Sequence, residues 1–409
     1  MKYFVFSYVF IFYVLILDPL QALILKIDGA GRLVFLFAIL IVFECFSMRK
    51  KISSKPIIYY FLWLIYMFIN SSIKGVKYWD DSYYLLFLNI FLPFTFFWIV
   101  LNEAILRFTS ILNLIIFSLF VYLVLAVAFN GINYDDRVDS ALNANAVGLR
   151  AAFLIFFIFL KCAYKLVGAE TTLYLTVFPT LIIFLTQSRT AFGVMLILFV
   201  AFFYILWQRS DRRIRFFFFA LSIISFFLVS SLLMNDTDLG KRLASTTTQS
   251  VGNKYLTTGT YWDYFGDRGL QYVLSGPIIK NHLFFGIGLR NFMDYSTTNT
   301  VLHSEYLINL VEGGFVGFVL YLLFQFWFIK NFIKMWRCSI GSKPVLILFI
   351  SGYLSMLFLS WVTRVCYYPF YYGYYAVFAA FIYRNKRIRL VKSLNRNFQL
   401  IKRKKPHYA

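Results

Sequence analysis

Charge is what this chain has least of, and acid is the scarcer sign: 18 Asp and Glu stand against 40 Lys and Arg, and only 14% of residues are charged. A soluble globular domain carries about 25% charged residues, so that class does not describe the bulk of the chain. There are four cysteines, Cys45, Cys162, Cys338 and Cys366. No CxxC spacing or His/Cys cluster suggests zinc, and no metal or other cofactor is expected. The topology derived below leaves only Cys366 near the outer face, so no disulfide is expected. The period-2 alternation of a membrane β-barrel is missing. The first apolar run is too long for a signal-peptide core and lacks a small-residue cleavage site, so it reads as a retained span. Internal repeats and a soluble domain are also lacking.

What is present is apolar: 61% of residues are hydrophobic and the mean hydropathy is +0.72. Runs of about 20 apolar residues, the length that crosses a ~30 Å hydrocarbon core as helix, recur along the whole chain. The fold class expected is an all-α polytopic membrane protein with about twelve spans: 3–24, 31–48, 56–71, 83–101, 109–129, 147–167, 171–187, 190–207, 214–234, 301–329, 344–362 and 367–383. The basic residues behind the net charge of +22 gather in alternate short loops that fall on one side and in the tail "YRNKRIRLVKSLNRNFQLIKRKKPHYA". That is the pattern of cytoplasmic orientation signals beside anionic lipid, not of a nucleic-acid surface. Both termini are therefore expected in the cytoplasm. The expected organisation is helices over 1–234, one long outward loop over 235–300, helices over 301–383 and a basic tail over 384–409. The loop's aromatic and Gly/Pro punctuation favours a partly folded cap of short helices.

Polar residues at the outward ends of spans are the candidates for function, because charge at bilayer depth is costly. "DDRVDSALNANAVGLR" (135–150) places Arg137, Asn143, Asn145 and Arg150 before the sixth span, either as a solvated loop with an Asn cap or as part of a site. "FLTQSRTAFGV" (185–193) places Arg189 in a tight break between spans, as a snorkelling anchor or as a fork of donors for phosphate. "GDRGLQY" (266–272) places Arg268 in the long loop, where a surface role is the plain alternative. "LHSEYLINLVEGGFVGF" (302–318) sets His303, Glu305 and Glu312 at the mouth of an apolar segment. At 100° per residue Glu305, Asn309 and Glu312 share one face, and Gly313, Gly314 and Gly317 allow close packing. His303 is either a helix cap or a base. All four groups map to one side of the predicted topology, as a site for a dianionic lipid-linked substrate requires: arginines neutralise phosphates, and a histidine or glutamate accepts a proton.

These stretches also resemble a known family. "HSEYLINLVEGGFVGFVLYLLF" is similar to the H-[NS]-x-[YF]-L-x-x-L-x-E-x-G-x-x-G pattern of the O-antigen polymerase and O-antigen ligase superfamily. "DRGLQYVLSGPIIKNHLFFGIGLRNF" resembles the segment that precedes it there, "TQSRTAFGV" its S-R-[TSG] break, and "RVDSALNANAVG" its R-x-x-G-x-x-x-N-P-N loop. The resemblance covers roughly 135–325 in the family's order. "NAN" replaces Asn-Pro-Asn, and Leu283–Phe284 stand where a proline is common. The resemblance implies a GT-C-like, metal-independent glycosyltransferase at the outer face of a bacterial inner membrane, moving a glycan from undecaprenyl pyrophosphate to an acceptor hydroxyl. Carried over, Arg189 and Arg268 hold the pyrophosphate and His303 activates the acceptor. Arg137, Asn145 and Arg290 are further substrate contacts, and Glu305 and Glu312 orient their neighbours. The implied partners are the lipid-linked donor and acceptor, membrane lipids and a chain-length regulator protein. Tyr306, the "VEGG" wording and Ser304 lean toward polymerase over ligase. A flippase is the reading from a different class, which the clustering of charge beside one long loop disfavours.

Overall fold

Apolar runs with few charges have one way to satisfy their backbone in lipid, the intrachain hydrogen bonds of a helix, and every regular element among the described residues is helical. The computed structural model describes residues 2–17, 55–75, 82–130, 144–186, 188–209, 267–296, 302–338, 342–363 and 370–386. The helices are α1 (Lys2–Phe12, continued by a wider π turn at Tyr13–Leu17), α2 (Lys55–Lys74), α3 (Ser82–Asn130), α4 (Ala144–Ala163), α5 (Ala169–Thr186) and α6 (Arg189–Arg209). They continue with α7 (Asp267–Asn281), α8 (Phe292–Ser296), α9 (Glu305–Leu307, followed by a π turn at Ile308–Glu312), α10 (Gly314–Arg337), α11 (Lys343–Val362) and a last helix, α12, over 370–386. The expected spans 31–48 and 214–234, the first part of the long loop and most of the basic tail lie outside the described residues.

Among the described residues seven helices are long and apolar enough to cross a membrane, as in a multi-pass membrane protein. One of the seven is anomalous in length: Leu92–Ala128 is 37 residues, about 55 Å if straight. It is not straight. Arg107 has non-helical φ −136° and ψ 57°. Phe10 packs on Phe96 and Phe12 on Phe117, with ring centroids 6.2 and 6.4 Å apart. Two residues of the last turn of α1 therefore touch points of α3 that a straight helix would hold about 32 Å apart. The chain turns back at Arg107, as the separate spans 83–101 and 109–129 anticipate.

The core sits around α4, which is 89% buried over its membrane-length window. Its aromatic residues are clamped on three sides: Phe153 stacks on Tyr374, Phe156 meets Phe349 edge-on, and Phe159 stacks on Phe202 at 3.9 Å. Close packing also fixes directions. Gly148 lies against Thr186 and Ser188, so α4 runs antiparallel to α5. Tyr321 meets Ser360 while Gln325 meets Tyr353, so α10 and α11 are antiparallel. Tyr60 stacks on Tyr372 and packs on Phe324, while Tyr66 bonds Gly313, so α2 opposes α10. These registers put the end of α2, the starts of α4, α6, α10 and α12 and the end of α11 at one end of the bundle.

Candidate functional site

The expected single span 301–329 is broken, and the break builds the site. After the short turn of α9 the winding widens to a π turn, with the N–H of Gly313 donating to the carbonyl of Ile308 at 3.3 Å. Gly314 then takes φ +64° and starts α10 afresh. A break leaves carbonyls on one side and N–H groups on the other without helical partners. Residues 283–288 supply both. The N–H groups of Ile287 and Gly288 donate to Val311 and Glu312, and the carbonyls of Leu283 and Phe284 accept from Phe315 and Val316. This needs backbone against backbone. A Cβ on Gly286 would lie 2.4 Å from the Glu312 carbonyl oxygen, and one on Gly314 would lie 2.4 Å from the Gly286 nitrogen. The turn keeps this geometry with Leu283–Phe284 in place of the proline common in the resembling family.

α2 locks the break from the side. Asn70 donates to the carbonyls of Phe285 and Glu312, and Tyr66 donates to that of Gly313. Ser71 accepts from Leu289, and Asn291 donates to Gly75 and Ile287. Trp63 donates to Asn309, whose amide in turn donates to the carbonyl and carboxylate of Glu305. Glu305 and Asn309 are fully buried and Glu312 is 3% exposed. The glutamates therefore stand inside the fold. All three residues of the expected stripe, Glu305, Asn309 and Glu312, are buried, and the Asn309 amide is bonded to Glu305 one turn before it.

His303 sits half-buried in the extended approach to α9. Its N–H donates to the side-chain carbonyl of Gln271 at 2.9 Å. Gln271 is on α7, one turn beyond Arg268, so α7 brings the Arg268 backbone and the His303 backbone into one neighbourhood. Tyr306 reaches the carbonyl of Leu357 on α11 at 3.5 Å, and Gly193, one turn into α6, packs on Phe358. The His303 turn and the start of α6, where Arg189 stands, thus flank the same turn of α11. Ser188 caps α6 by accepting from Ala191, and Asn145 sits half-buried near the start of α4, beside Gly148. Arg290 takes φ +63°, an unfavourable conformation for a residue other than glycine, and its side chain is half-buried. Arg137 and the side chains of Arg189 and Arg268 lie outside the described residues.

Two sets of residues here are absent from the sequence reading. Gln271 lies three residues after Arg268, on the same helical face. Trp63, Tyr66, Asn70 and Ser71 form a stripe at i, i+3, i+7 and i+8 along an otherwise apolar span, a helical periodicity of hydrogen-bonding side chains that points to a packed polar interface.

Residues 174–322 match the family model described as O-antigen ligase. That region holds α6, the described part of the long loop and the whole broken segment around His303. No curated protein sequence matches the chain.

Proposed function

We propose, from the match of residues 174–322 to the family model described as O-antigen ligase, that the chain is a membrane-embedded glycosyltransferase that polymerises a bacterial surface polysaccharide. The donor is a glycan on undecaprenyl pyrophosphate, and the acceptor is the terminal sugar hydroxyl of another lipid-linked repeat unit. The reaction takes place at the outer face of the inner membrane, with both termini in the cytoplasm. The observation that carries the reading is the held main chain of His303, pinned by Gln271 beside the start of α6.

In the step proposed, the acceptor oxygen forms a bond to the anomeric carbon as the bond from that carbon to the pyrophosphate oxygen breaks. The hydroxyl proton passes to His303, and undecaprenyl pyrophosphate leaves with the electron pair. Arg189 and Arg268 neutralise the charge growing on the leaving group, with Arg137, Asn145 and Arg290 as further contacts. A pyrophosphate is already a good leaving group, so positioning and charge neutralisation supply most of the acceleration, and chelators are expected to leave activity intact. Glu305 acts through Asn309 on the shape of the His303 turn, and Glu312 acts through the stitched break.

The description of the matching family favours a second reading, transfer of the glycan to lipid A–core. Gels of surface polysaccharide from a deletion strain separate the two. Core bearing a single repeat unit is the polymerase result, and bare core is the ligase result. Unchanged polysaccharide in the deletion strain contradicts both. A chain-length regulator is the expected protein partner of the polymerase.

A further inference from the structure

Arg150, on α4, is 6% exposed. It is the seventh residue of that helix, about 9 Å along the axis from its start, in a helix apolar enough to span a membrane. The guanidinium carbon lies 4.5 Å from the ring centre of Tyr122 on α3 and 4.3 Å from that of Phe370 on α12. One nitrogen, Nη1, donates to the Tyr122 hydroxyl at 3.2 Å. Nε is buried and has no hydrogen-bond partner.

Two aromatic rings satisfy the faces of a guanidinium, not its edge. The N–H groups lie in the plane, and the Nε–Nη2 edge is the fork that grips a carboxylate or phosphate through two parallel hydrogen bonds. Here that edge includes a buried, unpartnered donor, and no carboxylate among the described residues balances the charge. Burying an arginine this way is unfavourable unless an anion completes it. A second group points to the same ligand. Tyr374, one turn along α12 from Phe370, is buried and its hydroxyl also lacks a partner. Its ring is held by a 3.8 Å stack on Phe153 of α4, and the charge of Arg150 is within electrostatic reach of its hydroxyl.

We propose that Arg150 and Tyr374, between α3, α4 and α12, form a binding site for a phosphoryl anion. The arginine edge grips two oxygens, the tyrosine hydroxyl donates to a third, and the rings of Tyr122 and Phe370 hold the guanidinium in place. Three donors fit the three terminal oxygens of a phosphoryl group better than the two of a carboxylate. Two sources share this chemistry: the headgroup of an anionic phospholipid and the diphosphate of a polyprenyl carrier. The site stands apart from His303 and does not depend on the function proposed above.

The test is thermal unfolding of the purified full chain in dodecyl maltoside, a detergent without phosphate, titrated with inorganic pyrophosphate. A ligand that binds only the folded state raises Tm saturably. The wild type is expected to respond, and so is an Arg189→Ala/Arg268→Ala background that lacks the pyrophosphate contacts proposed for the active site; the variants that follow are read in that background. Arg150→Met should lose the response. Tyr374→Phe, which keeps the aromatic stack and so the fold, should need about tenfold more pyrophosphate, the size of effect of one lost hydrogen bond to a charged partner. Adding phosphatidylglycerol or undecaprenyl pyrophosphate identifies the source: whichever raises Tm in an Arg150-dependent way is the occupant. A pyrophosphate response unchanged in both variants, or no response in the wild type, overturns the proposal.

Discussion

Arg290 shows how much a single residue can be asked to carry. At φ +63° it holds a conformation that typically costs a non-glycine residue ~1–3 kcal/mol, two residues after Gly288, whose N–H stitches the helix break. Arg290→Gly should therefore leave stability unchanged or raise it by up to ~1 kcal/mol, while slowing glycan transfer if the guanidinium contacts substrate. Denaturation paired with activity measurement separates the two effects, and a variant of full activity would make Arg290 a turn residue only. His303 was legible in the sequence as the mouth of an apolar segment. Its anchor was not, since Gln271 lies 32 residues earlier and only the fold brings its amide to the His303 N–H.

At the scale of the element, the broken segment 302–318 depends on two glycines that face each other. Gly286 and Gly314 both have positive φ, and a Cβ on either would meet backbone at 2.4 Å. Backbone cannot yield as a side chain can, so Gly286→Ala or Gly314→Ala should each cost several kcal/mol, on the order of the larger single-site effects. Gly276 is the control. It lies inside α7 with nothing within 4 Å of its would-be Cβ, so Gly276→Ala should stabilise by ~0.5–1 kcal/mol. Equal effects at all three sites would mean that the stitched break is not a fixed feature. Hydropathy marked this segment as one continuous span because its apolar residues outweigh His303, Glu305 and Glu312 over a membrane-length window. The break comes from hydrogen bonds to residues 283–288, a partner that periodicity within 301–329 does not encode. The polar side chains of α2 that brace it were in plain sight at helical spacing, within a run read only for its apolar length.

For the whole molecule, length and hydropathy carried most of the helices, because each span is an independent solution to the same solvent. Five of the seven long apolar helices among the described residues end within a few residues of an expected span, while Leu92–Ala128 joins parts of two and Gly314–Arg337 begins well inside the expected 301–329. The fold-back at Arg107 decides the topology, since it makes α3 two crossings rather than one. In a chain stripped of its native cysteines, a thiol at position 130 should label from the same side of the membrane as one at 82, and a thiol at 107 from the other. Labelling of 82 and 130 from opposite sides would contradict the fold-back. The same registers that fix this topology gather the starts of α4 and α6 and the His303 turn at one end of the bundle. Sequence order alone could align those motifs with a family but not bring them together in space.

Everything proposed for that end of the bundle turns on glycan transfer through His303. The direct measurement is single-turnover transfer by the purified chain in lipid nanodiscs. It uses undecaprenyl-pyrophosphate-linked oligosaccharide as donor and acceptor and reads both the lengthened glycan and the released undecaprenyl pyrophosphate. Turnover should survive chelators and fall by about 10²–10⁴-fold in His303→Ala, the usual range for loss of a general base, with the variant folded and inserted as the wild type is. Transfer at the wild-type rate in His303→Ala would contradict the proposal.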